Sequence, residues 1–434
     1  MSLPDILFLL LIPFAVLAWR RWDWALLTIL ALLPSYLWRL TVGGIPTTWL
    51  EAAIYILLIV VLLRSQWWNF IKSNWLTNRS WIVLGLGWAL VAIAGVVVAP
   101  DKRLALGILK GWIMDPLVVA VLFYYATAAA VSKIEWWQKV TAAFWCGGVY
   151  TSLSALIMAY SSNATRFNGW YDSPNVLAMY LLPILAMSLL VTRRQEFKNT
   201  PSLLLKIGWW GGNAIMAAAL FGTNSYTALI ALAAGALMYV LFSINYNRIL
   251  AAGLGFSIVV VGILLPFVMT PANYWFPLTH YNSTYKLDSG QMRLILWREA
   301  GQVIQTKPLW GLGLGQWQPY FLNKVMPYKP ELRQPGVTLE LYYASLFPHN
   351  LWLTTWLNLG LLGVIILAIL AGKLFRAVTR TKAVELMVVL AIILTQGMVD
   401  TPFYKNDWSI MWWVMVAAVA WLNNDARLSA SKIG

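Results

Sequence analysis

Apolar residues run through this chain in stretches of roughly 20, each long enough to cross about 30 Å of hydrocarbon. The runs fall at 3–19, 24–40, 48–63, 81–98, 104–125, 140–160, 175–192, 207–222, 224–244, 249–269, 349–371, 383–400 and 408–422. Ten-residue segments of strict polar–apolar alternation, the mark of a membrane β-barrel, do not occur. The pattern predicts an all-α polytopic membrane protein with about 12 or 13 transmembrane helices. The open count belongs to Pro34 and the turn Gly43-Gly44-Ile45-Pro46, which can break the second span into a hairpin. The first run has Asp5 before it and Arg20-Arg21 after it. That order is the reverse of a cleavable signal peptide, so it reads as a retained span.

One stretch departs from the pattern. The segment 271–348, about 78 residues, is too long for a simple connection. It holds an amphipathic run from Gly290 to Gln305, with Leu294, Trp297 and Val303, followed by Lys307-Pro308 and Gly311-Leu312-Gly313-Leu314-Gly315. These features predict a small helical subdomain on the membrane surface, set within a single domain covering 1–434. The glycine run lacks the Gly-Lys-Ser/Thr of a phosphate-binding loop and the strand of a dinucleotide fold, and it reads as a flexible turn. No internal repeat is visible.

Composition agrees with the pattern. The chain is 60% hydrophobic and 11% charged, against about 25% charged in soluble domains. Many of its 27 tryptophans sit beside charges at segment ends (Trp19 and Trp22, Trp67 and Trp68, Trp136 and Trp137), as in interfacial belts. A net charge of +15 would suggest nucleic acid in a soluble protein. Here alternate connections gather Arg20, Arg21, Arg64, Lys133, Lys139, Arg193, Arg194, Arg376, Arg380 and Lys382 on one side. The short loops opposite hold only Arg39, Lys102, Arg103, Arg166 and Lys405. The positive-inside rule makes the first side cytoplasmic, which places 271–348 outside and the C-terminus inside.

Candidate chemistry concentrates at the outer boundary. His349, in Phe347-Pro348-His349-Asn350-Leu351-Trp352, stands where an apolar helix begins; the chain's other histidine is His280. An imidazole there can move a proton near neutral pH, although a polar residue capping the helix fits the position equally well. In the loop, Lys286, Arg293, Arg298, Lys307, Lys324, Lys329 and Arg333 outnumber Asp288, Glu299, Glu331 and Glu340. An external excess of cations suits an anionic ligand such as a diphosphate. Arg293 and Arg298 interrupt an apolar helical pattern five residues apart, so they point to different faces and at most one meets a buried site. Arg166 opens the turn Arg166–Asn175, where pairing with Asp172 is the simpler reading. Lys110 and Asp115 lie inside a span and require each other or another helix as partner; Glu51, Asn213 and Asn224 are softer candidates. Two histidines, the single Cys146 and the lack of DxD or ExxH patterns on the outer side argue against a metal site. A disulfide within the chain is excluded, no cofactor is expected, and no serine-nucleophile motif is present.

Four elements, in order, resemble the O-antigen ligase and Wzy-type polymerase superfamily: Arg166-Phe-Asn-Gly with Asp172-Ser-Pro-Asn175, Gly290 to Trp297, Lys307 to Gly315, and His349-Asn350 with Gly360 and Gly363. The resemblance covers about residues 160–422. It implies a GT-C-like glycosyltransferase in the bacterial inner membrane with its active site facing the periplasm. Such enzymes need no metal, take a glycan from undecaprenyl diphosphate and transfer it with inversion to a sugar hydroxyl. By that resemblance His349 is the general base and Arg293 holds the diphosphate, with Asn350, Arg166, Arg298, Tyr226 and Lys110 as further substrate contacts. One departure stands out: where the family carries Ser-Arg, this chain has Ser225-Tyr226. Arg166, Arg298 or Lys110 would then replace the missing cation. The acceptor reads as a lipid A core sugar, with a polymerase of lipid-linked glycan repeats as the alternative. A transporter, suggested by Lys110, Asp115 and the hairpin at 43–46, and a non-catalytic glycan-binding scaffold, suggested by Tyr226, are the readings outside this class.

Overall fold

A computed structural model describes residues 8–42, 45–74, 78–193, 202–243, 289–328 and 346–431, with single positions at 253, 257, 260, 261 and 264. His280, Lys286, Asp288, Lys329, Glu331, Arg333 and Glu340, and most of the expected span 249–269, lie outside the described residues.

The chain forms α1 (Leu11–Arg20), α2 (Trp22–Ala31), β1 (Arg39–Val42), β2 (Ile45–Thr48), α3 (Trp49–Leu62), α4 (Ser65–Asn74) and α5 (Arg79–Val98). Then come α6 (Lys102–Ala129), α7 (Lys133–Ser162), α8 (Pro174–Val191), α9 (Leu203–Gly222) and α10 (Tyr226–Ser243). The last elements are α11 (Ser289–Thr306), α12 (Leu351–Thr381), α13 (Val384–Gly397) and α14 (Asn406–Ser431). Among the described residues, seven helices are long and apolar enough to cross a membrane: α5 to α10 and α12. The protein is a multi-pass membrane protein. Four further apolar helices, α1, α2, α3 and α13, have only 10–17 residues.

One of the expected spans is corrected here. The predicted span 24–40 does not exist as a helix. α2 stops at Ala31, a 3₁₀ turn at Leu33–Leu37 carries Pro34, and β1 pairs antiparallel with β2, Arg39 opposite Thr48 and Val42 opposite Ile45. Proline removes a helical donor, so the helix ends and the chain reverses into the β1–β2 pair. α3 then starts at once from a capping box, in which Thr48 and Glu51 each bond the other's backbone N–H.

Most spans pack into one large core that buries Trp88, Trp352, Trp412, Tyr171 and Tyr180. The expected amphipathic helix of the long loop is present as α11. Its buried stripe of Met292, Leu296, Trp297, Ala300 and Val303 forms a second cluster with Leu312, Trp317 and Phe321, closed by Leu353 and Leu357 of α12. The loop helix is thereby fixed to the first turns of the helix that follows His349.

The glycine run is not the flexible turn its composition suggests. Gly311, Gly313 and Gly315 all have positive φ (65°, 93° and 75°), and their stretch is wedged between α5 and α12. Leu314 N–H donates to Gly95 O (3.1 Å), and Leu312 N–H to Leu357 O (2.8 Å). α12 itself is broken at Gly360 (φ 66°, ψ −170°). The freed Leu361 N–H finds Pro308 O at 3.2 Å, and the Asn358 amide oxygen accepts from Gly315 N–H at 2.6 Å. A Cβ on Gly360 would fall on the carbonyl of Leu309, and one on Gly313 would stand 2.6 Å from Ala99 N. Gly360→Ala and Gly313→Ala are each expected to cost more than about 2 kcal/mol, from left-handed strain and backbone clash together. A thermal unfolding series in detergent checks this; unchanged midpoints would show that the loop does not brace the helix.

Candidate active site

His349 occupies the residue before the N-cap of α12, in a left-handed conformation (φ 51°) that histidine tolerates better than branched residues. The turn lets the next residue do the capping. The Asn350 amide oxygen accepts from Trp352 and Leu353 N–H, both at 2.9 Å, and its amide nitrogen donates to Met398 O at 2.7 Å. Capping therefore falls to Asn350, which is fully buried, and the imidazole is left for other work.

That imidazole meets a carboxylate. His349 Nδ1 lies 3.1 Å from Asp400 Oδ1, in the turn after α13. The same oxygen accepts from Thr401 N–H at 3.0 Å, and Asp400 Oδ2 stands 3.5 Å from Arg293 Nη2. From α11, Arg293 Nε also donates to Val399 O (2.7 Å), and one turn on, Trp297 Nε1 donates to His349 O (3.3 Å). Helix α11 thus braces the histidine and its acid together.

Burial pushes the Asp400 carboxyl up, but His349 and then Arg293 outweigh it and hold it below its ordinary value of 3.8. An ionised carboxylate only accepts, so Nδ1 of a neutral His349 carries the hydrogen and Nε2 keeps its lone pair. With its side chain 24% exposed, His349 can offer that nitrogen to a substrate hydroxyl. The depressed carboxyl also carries a pH signature. Its stabilisation is fully present above 3.8, and is lost as pH falls through the lower folded-state value. Asp400→Asn should flatten the loss of stability as pH falls below 3.8, read by tryptophan fluorescence.

The other sequence candidates separate. Arg298, five residues on, turns to the buried Glu299 instead (Nη2–Oε1, 2.9 Å). Arg166 does not pair with Asp172, which takes Lys405 at 2.7 Å. Its Nε donates to Thr223 O (2.9 Å) and its Nη2 faces Asn175 Oδ1 (3.3 Å) and Asn224 O (3.5 Å). It is therefore seated in the very turn that leads to Tyr226, whose ring is exposed. Lys110, on a π-helical stretch Leu109–Met114 inside α6, pairs with Glu51 at 2.9 Å rather than with Asp115. Asn213 is structural, accepting from Trp145 and Ser188.

Residues 211–368 match the family described as O-antigen ligase. That segment is similar to the O-antigen ligase family. No curated protein matches the chain. The matched segment takes in Tyr226, Arg293, the glycine run, His349 and Gly360, whereas Lys110, Arg166 and Asp400 lie outside it and join its residues only through the fold. Asp400 is the residue that sequence reasoning missed. It closes the largely apolar stretch 383–400, where an acid passes for the polar end of a span. Its signal was an unpaired buried-type charge at a helix end on the histidine's side of the membrane. Among the described residues, no three His, Cys, Asp or Glu side chains come together as a metal cage would require.

Proposed function

We propose that this O-antigen ligase-type protein transfers a glycan from undecaprenyl diphosphate to a sugar hydroxyl, the lipid A core being the acceptor. The reading places it in the bacterial inner membrane as a metal-independent, inverting, GT-C-like enzyme whose site faces the periplasm. One observation carries the chemistry: Asp400 joins His349 to Arg293. In the proposed step, His349 Nε2 takes the acceptor proton as the hydroxyl oxygen attacks the anomeric carbon from the face opposite the diphosphate. The anomeric C–O bond breaks, and its electron pair leaves on the diphosphate, which inverts that carbon. Cations at the boundary stabilise the departing charge. Arg293 is the first of them, and Arg166, lodged beside Tyr226, supplies positive charge at the turn where the family has its second arginine. Lys110, already neutralised by Glu51, is poorly suited to that task.

Arg293→Ala is expected to weaken donor binding and turnover together, each by about tenfold or more, since one guanidinium serves both ligand and carboxylate. The test of the whole reading uses protein in nanodiscs with an undecaprenyl diphosphate-linked glycan, a lipid A core acceptor and EDTA, followed by gel shift. Transfer to the core supports the ligase. Growth of longer lipid-linked chains makes it a polymerase, and no product from folded protein rejects both.

A further inference from the structure

Between the β1–β2 hairpin, the first half of α6 and the turn before α14 lies a cavity of about 640 Å³, within the range of ligand pockets. Phe347 and Pro348, the two residues before His349, form part of its wall. Neither Arg293 nor Arg166 lines it. We infer that this cavity is a subsite for neutral sugar rings of the glycan substrate, a proposal that rests on the reading of the protein as a glycan transferase.

The lining chemistry fits sugar better than phosphate. Two of its three cations are matched, Lys110 to Glu51 at 2.9 Å and Lys405 to Asp172 at 2.7 Å, and the third, Arg39, is exposed, so a diphosphate entering here would meet two acids along with its cations. A sugar hydroxyl both donates and accepts, and an ion pair offers it both functions at charge-assisted strength. The half-buried Trp112 ring adds a flat apolar surface, set 5.6 Å from Phe347 and 6.0 Å from Tyr404 between ring centres. Such a surface matches the C–H face of a pyranose. Gly111, beside it, keeps the floor polar. A Cβ there would stand 2.7 Å from Asn406 Nδ2 and 3.3 Å from Glu51 Oε1, so only glycine lets those two groups reach the helix backbone.

Both donor and acceptor carry sugars, and the experiment separates them. Transfer is followed for Trp112→Ala, Trp112→Tyr and the exposed Asp172→Asn, with donor and acceptor varied in turn. Trp112→Ala should raise one KM about tenfold with kcat within about twofold, and Trp112→Tyr should restore most of it. A higher acceptor KM at saturating donor assigns the cavity to the acceptor's rings, and a higher donor KM assigns it to the donor's. A fall in kcat with both KM values unchanged overturns the proposal, because the ring then only props Phe347 and the histidine. Saturation-transfer NMR gives a readout independent of turnover, using oligosaccharides from donor and acceptor freed of lipid and phosphate. Signal from wild-type protein that is lost in Trp112→Ala supports the subsite even if no transfer is seen. Absence of signal from wild-type protein refutes it even if transfer proceeds.

Discussion

His349→Asn should lower kcat for glycan transfer by about 10²–10⁴-fold, the usual worth of a positioned general base. Binding of the undecaprenyl diphosphate donor should stay near that of the wild type. Asparagine is the informative replacement because it accepts the left-handed backbone at this position (φ 51°) and so preserves the turn that lets Asn350 cap α12. Alanine removes the same base but adds backbone strain, mixing loss of chemistry with loss of fold. Turnover and donor affinity are measured on the same nanodisc preparation. Near-normal turnover in His349→Asn would end the assignment of the base. Loss of donor binding in step with turnover would make the histidine a ligand contact.

Asp400→Asn carries the second large effect. The carboxylate accepts from Nδ1 and thereby makes Nε2 the nitrogen that carries the basic lone pair. An amide at the same place can present its N–H₂ to Nδ1 and hold the opposite tautomer, with the hydrogen on Nε2. In a serine protease triad the equivalent exchange costs about 10⁴ in kcat. A loss of about 10²–10⁴ is expected here, with circular dichroism and donor binding unchanged. If Asp400→Asn turns over like wild type, the carboxylate is an anchor for Arg293 and the turn, and has no part in setting the imidazole.

The sequence and the structure agree most where a physical signal is local. The amphipathic period of 290–305 becomes α11, and His349 stands as a partly exposed imidazole just before α12. The spacing of Arg293 and Arg298 does separate their fates, one to Asp400 and the other to Glu299. Pairings between distant segments were not legible. Hydropathy registers Lys110 as a charge in a span but says nothing of a hairpin folding back to bring Glu51 to it. It sees Arg166 and Asp172 as neighbours, yet the fold sends them to Thr223 and Lys405. Apolar runs also overcount spans, because 24–40 is equally apolar as a helix and as a turn with a hairpin. The 3₁₀ turn that carries Pro34 decides between the two.

The break at Gly360 has a consequence for how this protein can be taken apart. Around the break, Leu357 O and Leu361 N–H are completed by Leu312 and Pro308 of the preceding loop. An unsatisfied backbone group in hydrocarbon costs several kcal/mol. The stretch 308–315 is therefore not a cassette that can be trimmed away or exchanged with a relative's. A chimaera that keeps α12 must keep residues 308–315 with it, and a minimal version of the enzyme has to be cut elsewhere.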